Sequence, residues 1–183
     1  LERIATTADL DERSLFVPYQ HIKHTRLVSD NNFAIHQSRL KINLAYQNNQ
    51  RKEYGNPEDV AEEELFFDLK TFNYNIQWQL PEIKEWHTSF GVNGMQQSNR
   101  NRADEVLIPE YNLFDAGVFV YAQRFFKKAT LSGGLRYDHR SVDSNAFAEG
   151  ADVKFTAFKK TFSNISGSIG ISAEPSEKVT LKA

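Results

Sequence analysis

Lys70–Trp86 reads KTFNYNIQWQLPEIKEW. Its even positions, Phe72, Tyr74, Ile76, Trp78 and Leu80, are apolar or aromatic, and its odd positions, Thr71, Asn73, Asn75, Gln77 and Gln79, are polar. A period of two sustained over that length predicts an extended strand with one greasy face and one wet face. Pro81 ends the strand because it has no N–H to give to a ladder, and the pattern restarts at Trp86 after a short turn. Trp78 and Trp86 are thereby predicted on either side of one hairpin end, on the same face. The fold turns on what that face meets, a protein core or lipid.

The same alternation extends outward in both directions. Arg39 to Glu53 places Leu40, Ile42, Leu44 and Tyr46 on one face and Arg39, Lys41, Asn43, Ala45 and Gln47 on the other. A face that charged does not fit a dry core and must meet water or a polar lumen. Downstream, WHTSFGVNGMQQSN from Trp86 keeps Trp86, Phe90 and Val92 together, and TLSGGLRYDHR from Thr130 separates Leu131, Leu135 and Tyr137 from Ser132, Gly134, Arg136, Asp138 and Arg140. TFSNISGSIGISA from Thr161 aligns Ile165, Ile169 and Ile171, and a last, cut-off strand carries Val179 and Leu181. FDAGVFVYAQRF from Phe114 is apolar on both faces, so its orientation stays open. The stretch from Leu15 to Ile35 is extended but poorly patterned, with Pro18 near its start, and residues 1–14 are polar and aperiodic, a loop or disordered arm.

The connections sort by length. Turns near Ile35–Ser38, after Pro81, at FKKA and at EPSEK are short, whereas Tyr54–Glu64, Asn99–Asn112 and Ser141–Lys159 are long and polar. That is an antiparallel up-and-down meander with tight turns at one end and long loops at the other, the arrangement of transmembrane β-barrels. A strand of about 14 residues at roughly 3.4 Å each is about 48 Å long, enough to cross a bilayer core even when tilted. In that setting Trp78 and Trp86 are expected to be anchors at the membrane interface, where indole favours the boundary between acyl chains and headgroups.

Composition narrows function mostly by exclusion. A net charge of −2, from 22 basic and 24 acidic residues with no Lys/Arg block, gives no reason to expect nucleic acid. With no cysteine there are neither disulfides nor thiolate metal sites. His21 and His24 fall on opposite faces of a strand, so no metal site is expected of them, and His36, His87 and His139 are scattered. No paired-carboxylate motif, nucleophile elbow or phosphate loop is present, so neither an enzyme nor a cofactor is expected. Arg136 and Asp138, two apart on one face, read as an ion pair rather than catalytic groups. The long-loop end offers Arg100, Arg102, Tyr111, Arg140 and Phe147 as candidate contacts to a small anionic or aromatic ligand.

LIPEYNLFDAGVFVYAQ followed by LSGGLRYD resembles the barrel of TonB-dependent outer-membrane receptors, and the hairpin FNYNIQWQLPEIKEW with FGVNGMQQSNRNRADEVLIPEYN is similar to versions found in Bacteroidetes-type bacteria. The resemblance runs from about Val17 to Ala183, and the order and spacing of the motifs are more specific than any one of them. It implies a barrel of about 22 strands plugged by an N-terminal domain of the same parent chain. It also implies residence in the bacterial outer membrane, coupling to TonB through the plug, and energy-coupled uptake of a scarce nutrient such as a ferric siderophore, haem or cobalamin. Residues 15–183 are then expected to be a barrel segment of about seven strands and part of an eighth, with Arg39, Lys41, Arg136 and Asp138 facing the lumen and plug. Two other architectures suit the same alternation: a self-contained membrane barrel of about eight strands, closed by pairing the first strand with the last, and a soluble β-sandwich or lipocalin-like ligand-binding module with the greasy face inward.

Overall fold

The computed structural model describes Thr7, residues 17–176 and residues 178–183. The arm assigned to residues 1–14 therefore lies, Thr7 apart, outside the described residues, as do Leu15 and Phe16 of the first expected strand. Eight strands form one antiparallel sheet: β1 (Tyr19–Ile35), β2 (Ser38–Tyr54), β3 (Leu65–Gln79), β4 (Trp86–Asn101), β5 (Tyr111–Phe126), β6 (Ala129–Ser144), β9 (Phe158–Ser176) and β10 (Val179–Lys182). Between β6 and β9 a separate two-stranded hairpin, β7 (Phe147–Glu149) with β8 (Asp152–Phe155), occupies what the sequence presents as a plain polar connection. Neighbours in the sheet are neighbours in sequence apart from that inserted hairpin, so the architecture is an all-β up-and-down meander.

Two-residue turns join β1 to β2 at His36–Gln37 and β5 to β6 at Lys127–Lys128. His36 takes φ of 53°, as tight hairpin turns require. The β3–β4 turn follows Pro81 and closes through reciprocal backbone hydrogen bonds between Ile83 and Trp86 at 3.2 and 3.0 Å. The long connections gather at the opposite end. β3 begins at Leu65, five residues before the alternation becomes obvious, and β6 runs on to Ser144, so the strands are longer than their apolar pattern. β2, at 17 residues, is about 58 Å long and overreaches a 30 Å hydrocarbon core at any ordinary barrel tilt.

The register carries each strand's alternation into continuous rows across the sheet. Ile42, Ile76, Val92, Val118, Tyr137 and Ile165 are successive partners on one face. One residue along, Asp30, Asn43, Asn75, Asn93, Gly117, Asp138 and Asn164 are successive partners on the other. β5, ambiguous as a sequence, is oriented by these pairings: Val118 and Val120 join the apolar face, and Asp115, Phe119 and Tyr121 the polar one.

Neither face is covered by a second layer of the described residues, and the apolar side chains stand largely open, Ile169 at 83%. The buried hydrophobic side chains, Leu65 and Val106, lie at the long-loop end with buried Asn99 and Ser144. A soluble sandwich would bury its greasy face within its own fold, and the described strands do not do so. β1 pairs only with β2 among the described strands, and the sheet is open, so the described strands do not close into an eight-stranded barrel.

Candidate functional site

The polar face lines a concavity of about 890 Å³ that reaches from Arg26 on β1 to Asn164 on β9. Its floor is a hydrogen-bonded ladder. Asn43 Nδ2 donates to Asp30 Oδ1 at 2.7 Å, and Asn75 Nδ2 donates to Asn43 Oδ1 at 3.1 Å, so adjacent strands are tied side chain to side chain. Farther along, Arg136 Nη2 donates to Asn93 Oδ1 at 2.8 Å and Nε donates to Asp138 Oδ2 at 2.7 Å, with a second contact between Nη2 and Asp138 Oδ1. Arg136 reaches Asn93 by crossing β5 where Gly117 stands, and no side chain blocks it there. One register step away Arg140 makes a two-pronged contact with Asp115, Nε to Oδ1 and Nη2 to Oδ2, both 2.7 Å. The trough is thus built of amides and neutralised ion pairs, a surface suited to hydrogen bonding with another polar protein surface or with water.

Arg39, Lys41, Arg136 and Asp138 all fall on this face. Arg136 and Asp138 pair with each other, as their spacing suggests, whereas Lys41 and Arg39 stand four strands away on β2, Lys41 in the row of Arg136 and opposite Gln77, Arg39 one step nearer the short turns and opposite Gln79. Of the five loop candidates, Arg140 is not at the long-loop end at all. It stands four residues inside β6, because the strand continues through Ser141–Ser144.

Arg100 and Tyr111 do meet, through the Tyr111 carbonyl, which accepts from Arg100 Nη1 at 3.2 Å. Arg100 also donates to the Asn99 carbonyl at 2.8 Å and to Asn112 Oδ1 at 2.9 Å. The Tyr111 hydroxyl donates to Gln97 Oε1 at 2.8 Å. Arg102 lies 3.7 Å from buried Asp68 on β3, and Phe147 is paired opposite Phe155 in the inserted hairpin. Arg100 and Arg102 therefore brace the ends of β3, β4 and β5, and the five candidates do not form one cluster.

Sequence reasoning missed Asp115, whose strand could not be oriented, and Arg124 for the same reason. It placed Asn43 and Asn75 on the wet face without foreseeing their bonding. Arg124 lies on the apolar face with its guanidinium 5.8 Å from the Trp86 ring centroid and 4.9 Å from that of Phe126. Trp78 shares that face with Trp86, stacked on Phe90 with centroids 6.5 Å apart and planes 8° from parallel. No group of three His, Asp or Glu able to hold a metal occurs among the described residues.

A family model described as "TonB dependent receptor-like, beta-barrel" matches residues 4–183. Among solved structures, the FrpB iron transporter from Neisseria meningitidis in its apoprotein form superposes with a TM-score of 0.66 at 18% identity, covering 88% of this chain and 28% of that one. The copper transporter OprC gives 0.63 at 15% identity, with 86% and 28% covered. The ferric yersiniabactin uptake receptor FyuA from Yersinia pestis gives 0.55 at 8% identity, with 87% and 27% covered. The chain thus spans just over a quarter of the length of each of these transporters. No curated protein matches it.

Proposed function

Because the chain belongs to the family of TonB-dependent receptor-like β-barrels, we propose that it forms part of the wall of an outer-membrane receptor that imports a scarce nutrient by energy coupled through TonB. The family and its solved relatives are transport and receptor proteins rather than enzymes. On this reading the apolar face meets outer-membrane lipid, the polar trough faces a plug domain of the same parent chain, and the long-loop end first meets the nutrient.

The observation that carries the reading is the sorting of the rows. Ile76, Val92 and Val118 continue one another across three strands, and Asn75, Asn93 and Gly117 do so one step away on the other face. A wall between lipid and a water-filled, plugged lumen needs that division at mid-height, where a charge toward lipid is most costly. A ferric siderophore, haem or cobalamin is the class of nutrient proposed. Lys41, Arg39, Arg136 and Asp138 are assigned to the lumen, and Arg100, Arg102, Tyr111 and Phe147 to the end that receives the ligand.

The test is fluorescence quenching of the full-length protein reconstituted with lipids brominated at defined acyl positions, with the contribution of each indole obtained by difference against Trp78→Phe and Trp86→Phe. Quenching of both by bromines near the headgroup is expected. Absence of quenching at both positions would refute the lipid-facing assignment.

A further inference from the structure

On the apolar face near the short turns, Thr88, Ala122 and Gly133 are successive partners, a low row between two tall ones. Trp86, Arg124 and Leu131 form the row on one side, and Phe90, Val120 and Leu135 the row on the other. The result is a groove of about 540 Å³ walled by Trp86, Val120, Leu131, Leu135 and Ile169. That volume lies in the range of roughly 300–1,000 Å³ typical of small-molecule sites.

Arg124 stands at its rim. Its strand partners are the groove walls Trp86 and Leu131, and its guanidinium is held against the rings of Trp86 and Phe126. Its Nε is buried with no hydrogen-bond partner, and Nη2 forms a long ion pair with Glu85 Oε2 at 3.7 Å, on the half-exposed side that a ligand can reach. A guanidinium on an apolar face, steadied by two aromatic rings and holding one long ion pair, is matched by a phosphate, whose oxygens fit the accessible Nη edge of the guanidinium. An aliphatic tail is the natural occupant of the groove beside it.

We propose that the groove and Arg124 together seat one phospholipid, an acyl chain in the groove and its phosphate on Arg124. This rests on the lipid-facing assignment above and adds to it a specific bound lipid in place of general solvation. The rings of Trp86 and Phe126 fix the guanidinium before the lipid arrives, so little side-chain freedom is lost on binding.

The full-length protein, delipidated in detergent, is titrated with dioleoylphosphatidylglycerol and, separately, with phosphate-free dioleoylglycerol, and one-to-one adducts are counted by native mass spectrometry. Arg124→Gln is expected to weaken the phosphatidylglycerol adduct about tenfold, since a hydrogen bond to a charged group is worth at least a decade of affinity. The dioleoylglycerol adduct should be weak and unmoved by that change. Ala122→Leu, which raises the groove floor without touching the charge, should also reduce the phosphatidylglycerol adduct, and Leu27→Ala, across the sheet on β1 and on the same face, should not. A phosphatidylglycerol adduct unchanged by either Arg124→Gln or Ala122→Leu overturns the proposal. In that event, continued quenching of Trp86 by brominated lipid leaves the lipid-facing assignment standing, and its loss removes both.

Discussion

The Arg136 guanidinium occupies the space that a side chain at residue 117 would fill: a Cβ there would collide with Arg136 Nη2 and Asp138 Oδ1. The two residues sit on adjacent strands, and the missing side chain on β5 is what lets an arginine on β6 span it to Asn93 on β4. Gly117→Ala must displace the Arg136–Asp138 pair, at a cost of about 1–3 kcal/mol for overpacking, partly offset by the lower entropy of the unfolded alanine chain. The expected outcome is a lower urea midpoint for the protein unfolded from lipid vesicles. In an Arg136→Ala background the same change should cost less, because the Asp138 carboxylate, no longer held by Arg136, is free to turn away. Equal losses in both backgrounds would mean that Gly117 is not there to make room for the arginine.

The Arg140–Asp115 contact gives a second quantity to measure. Its geometry is two-pronged, but the Arg140 side chain is about half exposed, so solvent screening limits its worth to roughly 1 kcal/mol or less. A double-mutant cycle with Arg140→Ala and Asp115→Ala should give a coupling of that size, shrinking as salt rises from low to molar concentration. Arg140→Lys should recover only part of it, because a lysine cannot reproduce the fork. A coupling that is indifferent to salt would point to packing, not charge, between these strands.

How much of this was legible in the sequence depended on whether one strand's pattern sufficed. β2, β3 and β6 each sort their own side chains, so Lys41, Arg136 and Asp138 could be placed on a face from alternation alone. β5 could not, and the register shows the reason. Its polar-face aromatics Phe119 and Tyr121 lie across from glycines on neighbouring strands, Gly91 and Gly134, where a ring fills the space a side chain would take. Such aromatics look apolar-facing until the partner strand is known. Arg140 was misjudged for a different reason: Ser141–Ser144 continues the strand with little apolar contrast, so the pattern fades before the hydrogen bonding does. The hairpin β7–β8 is too short for any period to register.

The ladder on the trough floor makes unequal demands on its members. Asn43 both donates to Asp30 and accepts from Asn75, whereas Asn75 makes only the donation to Asn43 within this ladder. Asn43→Ala should therefore destabilise more than Asn75→Ala, by about one hydrogen bond's net worth of roughly 1 kcal/mol. Equal losses, read from urea midpoints at unchanged slope, would show that water replaces the amide contacts at no cost.

The two-faced wall itself can be probed because the chain contains no cysteine. Adjacent residues of β3 point to opposite faces, so Asn75→Cys and Ile76→Cys differ by one position and by the medium they meet. In the full-length protein made free of cysteine elsewhere and reconstituted in vesicles, a charged, membrane-impermeant maleimide should label position 75 faster than position 76. Asn93→Cys and Val92→Cys, their register partners on β4, should repeat the contrast. The order must hold on both strands, because a one-residue slip of either would invert it there alone. Equal labelling at 75 and 76 would show water on both faces, and faster labelling at 76 would turn the sheet inside out.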